Sequence, residues 1–407
     1  MAAASAATNS GNRNTEFLAG GTTLLDLMKL DVAQPDTVID INPLAGAGYG
    51  RIELGQHGLR LGALVRMGDA ADHPGVKSDY PVVAQALAQA ASQQLRNMAS
   101  LGGNVLQRMR CIYFRDVSYR ECNKRDRGSG CAAMNGFNRM HAVLGGSEHC
   151  IATYPGDFAQ ALIALEAAVE IVGRSANRTI PFASLHRKPG DTPDRETNLH
   201  SGEMIASFLI PAAPWTRRSL YLKVRDRQSY EFALASAAVA LDQQDGIVRT
   251  ARIALGGLAT VPWRAVEAEA LLRGKQLNDD NAATAASAAF ATALGYGHND
   301  FKIEFGKRTA ARTRAKSNGG SLCWKEHDNR RFPWRKGDVR NGRRAGRGSR
   351  PCVDLRNTRA ADRRGVRRRP VDEYAHRAQP ADGRHDLGYQ LRAARSDRAR
   401  SPTRAIR

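Results

Sequence analysis

Two Gly-Gly pairs constrain this chain more than any other feature. Gly20-Gly21 follows the short apolar run Phe17-Leu18-Ala19 and leads into Thr22-Thr23-Leu24-Leu25-Asp26-Leu27-Met28. Leu24, Leu27, Met28 and Val32 continue one helical face, so the pair sits where an extended segment meets a helix. Glycine lets backbone approach a ligand closely, and the free amides of such a turn attract an anion such as a pyrophosphate. A tight strand–helix turn with no ligand has the same pattern. Thr23 and Asp26 stand at near capping-box spacing. The second pair lies in Ser100-Leu101-Gly102-Gly103-Asn104, after an Ala- and Leu-rich pattern from Val82 to Met98 that predicts a helix. Asn104 is placed to donate to a ligand oxygen or to close its own turn. Neither pair forms a GxGxxG dinucleotide fingerprint or a P-loop with its lysine.

Around these turns the chain alternates short strands and helices. Thr37 to Ile41 and Leu59 to Leu64 read as buried strands. Tyr154-Pro155-Gly156-Asp157 opens a helix whose buried side is Phe158, Leu162, Leu165 and Val169. Asp157 reads as an N-cap or first-turn acid, or as the partner of a ligand hydroxyl. Ala167 to Val172, Thr179 to Phe182 and Met204 to Ile210 are further strands. Pro211-Ala212-Ala213-Pro214 interrupts regular structure and marks a domain boundary. Beyond it, Leu220 to Val224 is a strand and Glu231 to Leu241 mixes helix and strand signals. Asp245-Gly246 is a hairpin turn ahead of Ile247 to Leu255. Pro262 to Leu272 and Asn281 to Leu294 predict helices. One antiparallel sheet backed by helices is expected for this α+β part.

Four cysteines, Cys111, Cys122, Cys131 and Cys150, fall in a loop-like stretch rich in Arg, Gly and Asn. Four thiolates suit zinc or an iron–sulfur cluster. Their spacing lacks the paired CxxC of common zinc ribbons and bacterial ferredoxins. Two disulfides or chance clustering of free thiols are the other readings. Arg108, Arg110, Arg115, Arg120, Lys124 and Arg125 nearby would offset the charge of a ligated cluster, or simply be solvated.

Charge divides the chain into two unlike parts. The 407 residues carry a net +21. From Lys316 to Arg407 there are 26 Lys and Arg against 10 Asp and Glu, so that stretch holds +16 of the total. It has a basic cluster at Arg363, Arg364, Arg367, Arg368 and Arg369, few aromatics for base stacking, and no hydrophobic period that would order it. A coding region read in the wrong frame, a native disordered tail and a nucleic-acid arm are its three readings. No apolar run approaches the roughly 20 residues of a membrane span. Met1 to Asn14 does not look like a signal peptide, and six cysteines are too few for a disulfide scaffold of this size.

Taken in order, AGGTTLLDLMK at 19–29, SLGGN at 100–104, YPGDFAQAL at 154–162, SGEMIASFLIP at 201–211, YLKVRDRQSYEFALASAAVAL at 221–241 and ALGGLATVPWR at 254–264 resemble the FAD-binding medium subunit of the xanthine dehydrogenase and molybdenum hydroxylase family. The likeness is closest to the flavin subunit of the periplasmic aldehyde oxidoreductases and covers about residues 15–312. It implies an α+β architecture. A two-subdomain FAD domain of the vanillyl-alcohol-oxidase or PCMH type spans 1–213, with a cysteine-rich insertion at 108–152. A smaller α+β domain of the CO dehydrogenase flavoprotein type spans 214–312, and a basic tail spans 313–407. The family's usual opening strand and helix are not recognisable before residue 15. Cys323 and Cys352 in the tail have no family counterpart.

The resemblance also implies cofactors and partners. Ala19, Gly20, Gly21, Thr22, Thr23, Leu24 and Leu25 would wrap the FAD pyrophosphate with backbone amides, beside Phe17 and Leu18. Ser100, Gly102, Gly103 and Asn104 would form the second wall. Asp157 matches an aspartate near the sugar-side groups of FAD, Ile205 an apolar residue beside the isoalloxazine or adenine, and Lys223 a cation near the flavin ring. A surface strand position is the other reading of Lys223. Cys111, Cys122, Cys131 and Cys150 resemble the ligands of an additional [4Fe-4S] cluster found in a minority of the family. The implied work is electron relay: a large subunit holds the molybdenum cofactor, a small subunit holds two [2Fe-2S] clusters, and this chain passes electrons to an external acceptor. No catalytic acid or base is implied here, and nucleic acid is not an expected partner. Residence in the periplasm within an exported complex and residence in the cytoplasm both fit.

Overall fold

The computed structural model describes residues 15–174 and 176–317, with side chains through residue 313. The expectations for residues 1–14, and those for the basic stretch beyond 317 with Cys323 and Cys352, lie outside the described residues. β1 (Thr15–Leu18) and β2 (Thr37–Asp40) run parallel, with Thr15 opposite Thr37 and Leu18 opposite Asp40. A parallel pair needs a crossover, which the first Gly-Gly turn and α1 (Leu24–Lys29) supply. Thr23 precedes α1 but makes no side-chain cap bond, so the capping box is not formed.

A turn of 3-10 helix at Asn42–Ala47 leads into β3 (Ile52–Gly55) and β4 (Gly58–Gly62). Five short helices follow: α2 (Met67–Asp72), α3 (Pro74–Asp79), α4 (Pro81–Ala88), α5 (Gln93–Met98) and α6 (Leu101–Val105). The single helix expected from Val82 to Met98 is therefore two. Ala91 takes φ +45° between them, and Ser92 Oγ accepts the Leu95 amide at 3.3 Å to start the second. The cysteine segment is mostly loop, with one helical turn, α7 (Ile112–Arg115). After it come α8 (Phe158–Ala164), β5 (Ala168–Val172), β6 (Asn177–Pro181) and β7 (Met204–Pro211). The order β3-β4-β7-β5-β6 makes an antiparallel sheet. Leu59 and Leu61, Val169 and Ile171, and Phe208 and Ile210 bury one face of it in a core shared with Phe158 and Leu162 of α8.

A second antiparallel sheet, ordered β11-β10-β9-β8, follows Pro211. It comprises β8 (Ser219–Val224), β9 (Ala235–Gln244), β10 (Ile247–Gly256) and β11 (Trp263–Arg264). Asp245 and Gly246 both have positive φ, 52° and 79°, as a two-residue hairpin turn requires. The helix expected from Pro262 starts later, as α9 (Val266–Leu272), because Trp263 and Arg264 pair with Leu255 and Ala254. α10 (Asp279–Ala288) stops short of Leu294, and α11 (Phe301–Ser317) has no counterpart among the expected elements. α4 and α8 pack against this sheet, as do α9 and α11. Ala238 and Ala240 of β9 therefore join the first core, while Ala237, Val239 and Leu241 join a second one. Burial on both faces explains why 231–241 gives no clean strand alternation.

Candidate functional site

The two Gly-Gly turns face each other across a groove. Twelve of the residues singled out above line it: Phe17, Leu18, Ala19, Gly20, Gly21, Thr22, Thr23, Leu24, Ser100, Gly102, Gly103 and Ile205. The groove holds about 260 Å³. Its first wall cannot carry a side chain at Gly20, where a Cβ would meet Met98 O at 2.1 Å, and Gly21 takes φ +70°. Leu25 N–H bonds to Gly21 O at 3.1 Å, but no backbone acceptor takes the amides of residues 20–24 among the described residues. Those amides are left to a ligand or to water.

The second wall is anchored to the strand side of the fold. The Leu101 and Gly102 amides donate to Val65 O and Ala63 O, and Ser100 Oγ accepts the Gly103 amide at 3.2 Å. Space near Gly103 holds only that hydroxyl. A polar brace ties the two walls together. Arg66 donates to Met98 O at 2.5 Å and to Asn42 Oδ1 at 2.9 Å, and Asn42 Nδ2 donates to Ala19 O at 2.8 Å.

A second hollow of about 260 Å³ shares Thr22 and Thr23 with the groove and is also lined by Asn104, Gln107, Arg110, Asp157 and Tyr230. Asn104 Oδ1 is buried there with no hydrogen-bond partner. Asp157 occupies the N-cap position of α8 yet makes no cap bond, contrary to its simplest sequence reading. Its carboxylate instead accepts from Tyr221 Oη at 2.5 Å and from Lys223 Nζ at 2.7 Å. The Asp157 and Lys223 side chains are 5% and 1% exposed. Burial, reinforced by the Asp157 charge, holds the Tyr221 hydroxyl well above its ordinary pKa. Lys223 is thus buried rather than on the surface, and it lines neither of these two hollows. It stands behind Asp157 and also donates to Gln89 O. Leu25 lies outside both hollows, 47% exposed.

All four cysteines of the insertion are free thiols, so the two-disulfide reading does not hold. Cys111 ties their surroundings together. It packs against the cluster of Leu27, Phe114 and Cys122, against the cluster of Tyr113, Ala133 and Ile151 on which Cys131 also packs, and against the core that contains Cys150. Cys122 and Cys131 also form a short antiparallel bridge. Burial pushes the Cys111 thiol up to about 12 and the Cys150 thiol up to about 11. The Ala152 amide, which donates to Cys150 Sγ at 3.4 Å, opposes the rise there. Among the described residues, no three His, Cys, Asp or Glu side chains stand together closely enough to grip a single metal ion.

The basic residues around the thiols are mostly committed. Arg110 and Arg115 pair with Asp26, and Arg108 and Lys124 pair with Glu196. Arg125 donates to the Tyr113, Phe114 and Tyr119 carbonyls. Lys124 still lowers the Cys150 pKa through its charge. His141 places Nε2 3.1 Å from Cys111 Sγ. Burial drops its pKa to about 4.

Residues 1–213 match the family model for the FAD binding domain in molybdopterin dehydrogenase. The chain belongs to this FAD-binding family. Residues 220–308 match the CO dehydrogenase flavoprotein C-terminal domain, completing the two-domain α+β architecture. This flavin subunit is 48% identical over 299 residues to the aldehyde oxidoreductase FAD-binding subunit PaoB of Escherichia coli (strain K12), covering 73% of this chain and 89% of that one. It is 28% identical over 270 residues to the glyceraldehyde dehydrogenase medium chain of Sulfolobus acidocaldarius, covering 66% and 77%. Among solved structures, the carbon monoxide dehydrogenase of Hydrogenophaga pseudoflava matches at a TM-score of 0.58 and 26% identity, over 76% of this chain and 92% of that one.

Several residues of the flavin subunit's site gave no sequence signal. Arg66 and Asn42 brace the Gly-Gly turns from outside both motifs. Tyr221 is the first letter of the YLKVRD segment, but its bond to Asp157 depends on strand register. Arg110, read from the sequence only as a cation beside the cysteines, lines the second hollow while bonded to Asp26. His141 is a lone histidine in a loop; only its place between Cys131 and Cys150 hinted at the thiols.

Proposed function

We propose that this FAD-binding subunit carries FAD along the groove between the Gly-Gly turns and the hollow beside it, and a [4Fe-4S] cluster on Cys111, Cys122, Cys131 and Cys150. It relays electrons within a molybdenum hydroxylase that acts on an aldehyde. The observation that carries the reading is the pair of facing Gly-Gly turns: the amides of residues 20–24 in the first have no backbone acceptor among the described residues, and the neighbouring hollow is lined by Asn104, whose Oδ1 is unpartnered. The chemistry of such a cradle suits a dinucleotide: the turn amides of 20–24 would meet its pyrophosphate, and Asn104 and Asp157 would meet polar groups beyond it. Lys223 supports that end indirectly, by fixing the Asp157 carboxylate. Bound FAD supplies two-electron chemistry that no side chain here supplies.

A cluster fits the donor set of the insertion. Four free thiols lie in one inserted segment, Cys122 and Cys131 are bridged neighbours, and the Ala152 amide donates to Cys150 Sγ at 3.4 Å. Such amide bonds stabilise ligating thiolates in iron–sulfur sites. A large subunit with the molybdenum cofactor and a small subunit with two [2Fe-2S] clusters would deliver the electrons, and an external acceptor would take them. The matched relatives are named as a FAD-binding subunit and a medium chain, which supports work within an assembly. The aldehyde follows from the relatives' names alone. Among the described residues no helix is long and apolar enough to cross a membrane; periplasmic residence within the complex is proposed on the family likeness.

The test is an anaerobic visible spectrum of the purified protein with FAD, iron and acid-labile sulfide quantified. The expected result is one FAD with about four iron and four sulfide per chain. FAD without iron would remove the cysteine assignment and keep the flavin one. Iron without FAD would do the reverse.

A further inference from the structure

His141 is fixed from every side for a residue in an inserted loop. Its amide donates to Asn138 O at 2.8 Å. Its carbonyl accepts from Lys302 Nζ at 3.0 Å and from Asn299 Nδ2 at 3.4 Å. Lys302 is fully buried, and its other acceptor is Met140 O at 3.2 Å. Thr153 Oγ1 donates to the same Met140 carbonyl. The start of α11, from the second domain, thus clamps the backbone that carries this imidazole. The ring itself is buried, with Nδ1 lacking any partner and Nε2 facing Cys111 Sγ at 3.1 Å.

An imidazole–thiol contact can run either way. A protonated thiol donates to a ring nitrogen. A sulfur that ligates iron has no proton and can only accept, so the ring proton must then sit on Nε2. Hydrogen bonds to cluster sulfurs are among the terms that set a cluster's potential, since each withdraws charge from the sulfur and favours the reduced form.

We propose that His141 is a positioning residue for the iron–sulfur site: its Nε2–H donates to Cys111 Sγ and raises the reduction potential of the cluster, with Lys302 and Asn299 holding the donor in place. The proposal rests on the cluster reading given above. Neither Arg108, Arg110, Arg115 nor Lys124 can take this role as freely, because each is bound to Asp26 or Glu196.

The experiment uses the full chain, purified without oxygen, with the unaltered protein beside His141→Leu and His141→Gln. Iron, sulfide and FAD are quantified, and the cluster midpoint is read by a redox titration followed by electron paramagnetic resonance. All three proteins should hold the same iron. His141→Leu should move the midpoint to a more negative potential, and His141→Gln, which keeps an amide donor, should return it toward the unaltered value. Equal midpoints in all three would overturn the proposal. Loss of cluster in His141→Leu, with FAD and melting unchanged, would instead make His141 an iron ligand and overturn it too. If the leucine variant does not fold, unaltered protein grown with 15N-histidine decides the matter. A weak nitrogen coupling to the reduced cluster supports the hydrogen bond, while a strong one (direct ligation) or none at all overturns it. Unaltered protein that holds FAD but no iron would end the cluster reading itself, an outcome distinct from an unmoved midpoint.

Discussion

At the residue scale, the Asp157–Lys223 pair is the most consequential contact near the second hollow. Both side chains are almost fully buried and both are completed by neutral partners, Tyr221 Oη and Gln89 O. Removing one member of such a pair leaves the other charged and uncompensated, at a cost of about 3–5 kcal/mol. Lys223→Met should therefore lower stability by that order and weaken FAD retention, while the double change Asp157→Asn with Lys223→Met should recover part of both. Urea unfolding of the unaltered protein, the Asp157→Asn and Lys223→Met single variants and the double variant, with FAD quantified in each, checks this. Strictly additive losses would mean that the two side chains do not act as a pair. Sequence reading found both residues, through the YPGD and YLKV segments. It did not find their contact, because sequence reveals neither strand register nor what stands behind a helix start.

His186 gives a pH dependence of known sign. Its Nε2 faces Val105 O at 3.1 Å, and its ring packs edge-on against Tyr154 and Phe182. Burial drops its pKa to about 4 from an ordinary value near 6.5. The unfolded chain therefore takes up a proton first as pH falls, and the native state loses stability between about pH 6.5 and 4. The loss tops out at about 3 kcal/mol and is absent above pH 6.5. His186→Gln should flatten the fall in melting temperature over that window. An unchanged slope would show that the ring is solvated in solution.

At the element scale, the break between α4 and α5 was hidden by composition. Val82 to Met98 is rich in Ala and Leu, and a helical pattern continues across it. What ends α4 is backbone conformation, since Ala91 holds φ +45° where a Cβ is disfavoured. Ser92 then restarts the chain with a capping bond. Ala91→Gly should raise stability by up to about 1 kcal/mol through relief of that strain, offset in part by added unfolded-state entropy. Ser92→Ala should lower it by about 1 kcal/mol. Thermal melts of both variants check the pair of signs; a stabilising Ser92→Ala would mean that the helix runs on through the break. The hairpin at Asp245-Gly246 was legible for the opposite reason, because the residue types required by its backbone are present in the sequence. β11 was illegible because pairing with β10, a tertiary contact, overrides the helical pattern that begins at Pro262.

At the scale of the whole molecule, Pro211-Ala212-Ala213-Pro214 is a boundary in the chain but not in the packing. Tyr221 of β8, Ala238 and Ala240 of β9 and Ala254 of β10 are buried in the same core as Leu61, Phe158 and Phe208. The other face of that sheet builds the second core with α9 and α11. α11 contributes Lys302, Thr309 and Thr313, all buried, so a truncation near Arg312 would cut into a packed helix, while one after Ser317 would spare it. Two family domains whose cores meet at one sheet in this way are expected to unfold together. A chain ending at Ser317 should melt in one transition, with its calorimetric and van't Hoff enthalpies equal. Residues 1–213 produced alone should expose the faces of α4 and α8 that β8–β10 cover, and should aggregate or bind a hydrophobic dye. Two resolved transitions in the longer chain, or a monomeric 1–213 with native circular dichroism, would show that the linker divides the energy as well as the sequence. The shared sheet could not be foreseen from β9 itself. Its run of alanines and valine has the same chemistry on both faces, and only the two layers that enclose it decide which residue belongs to which core.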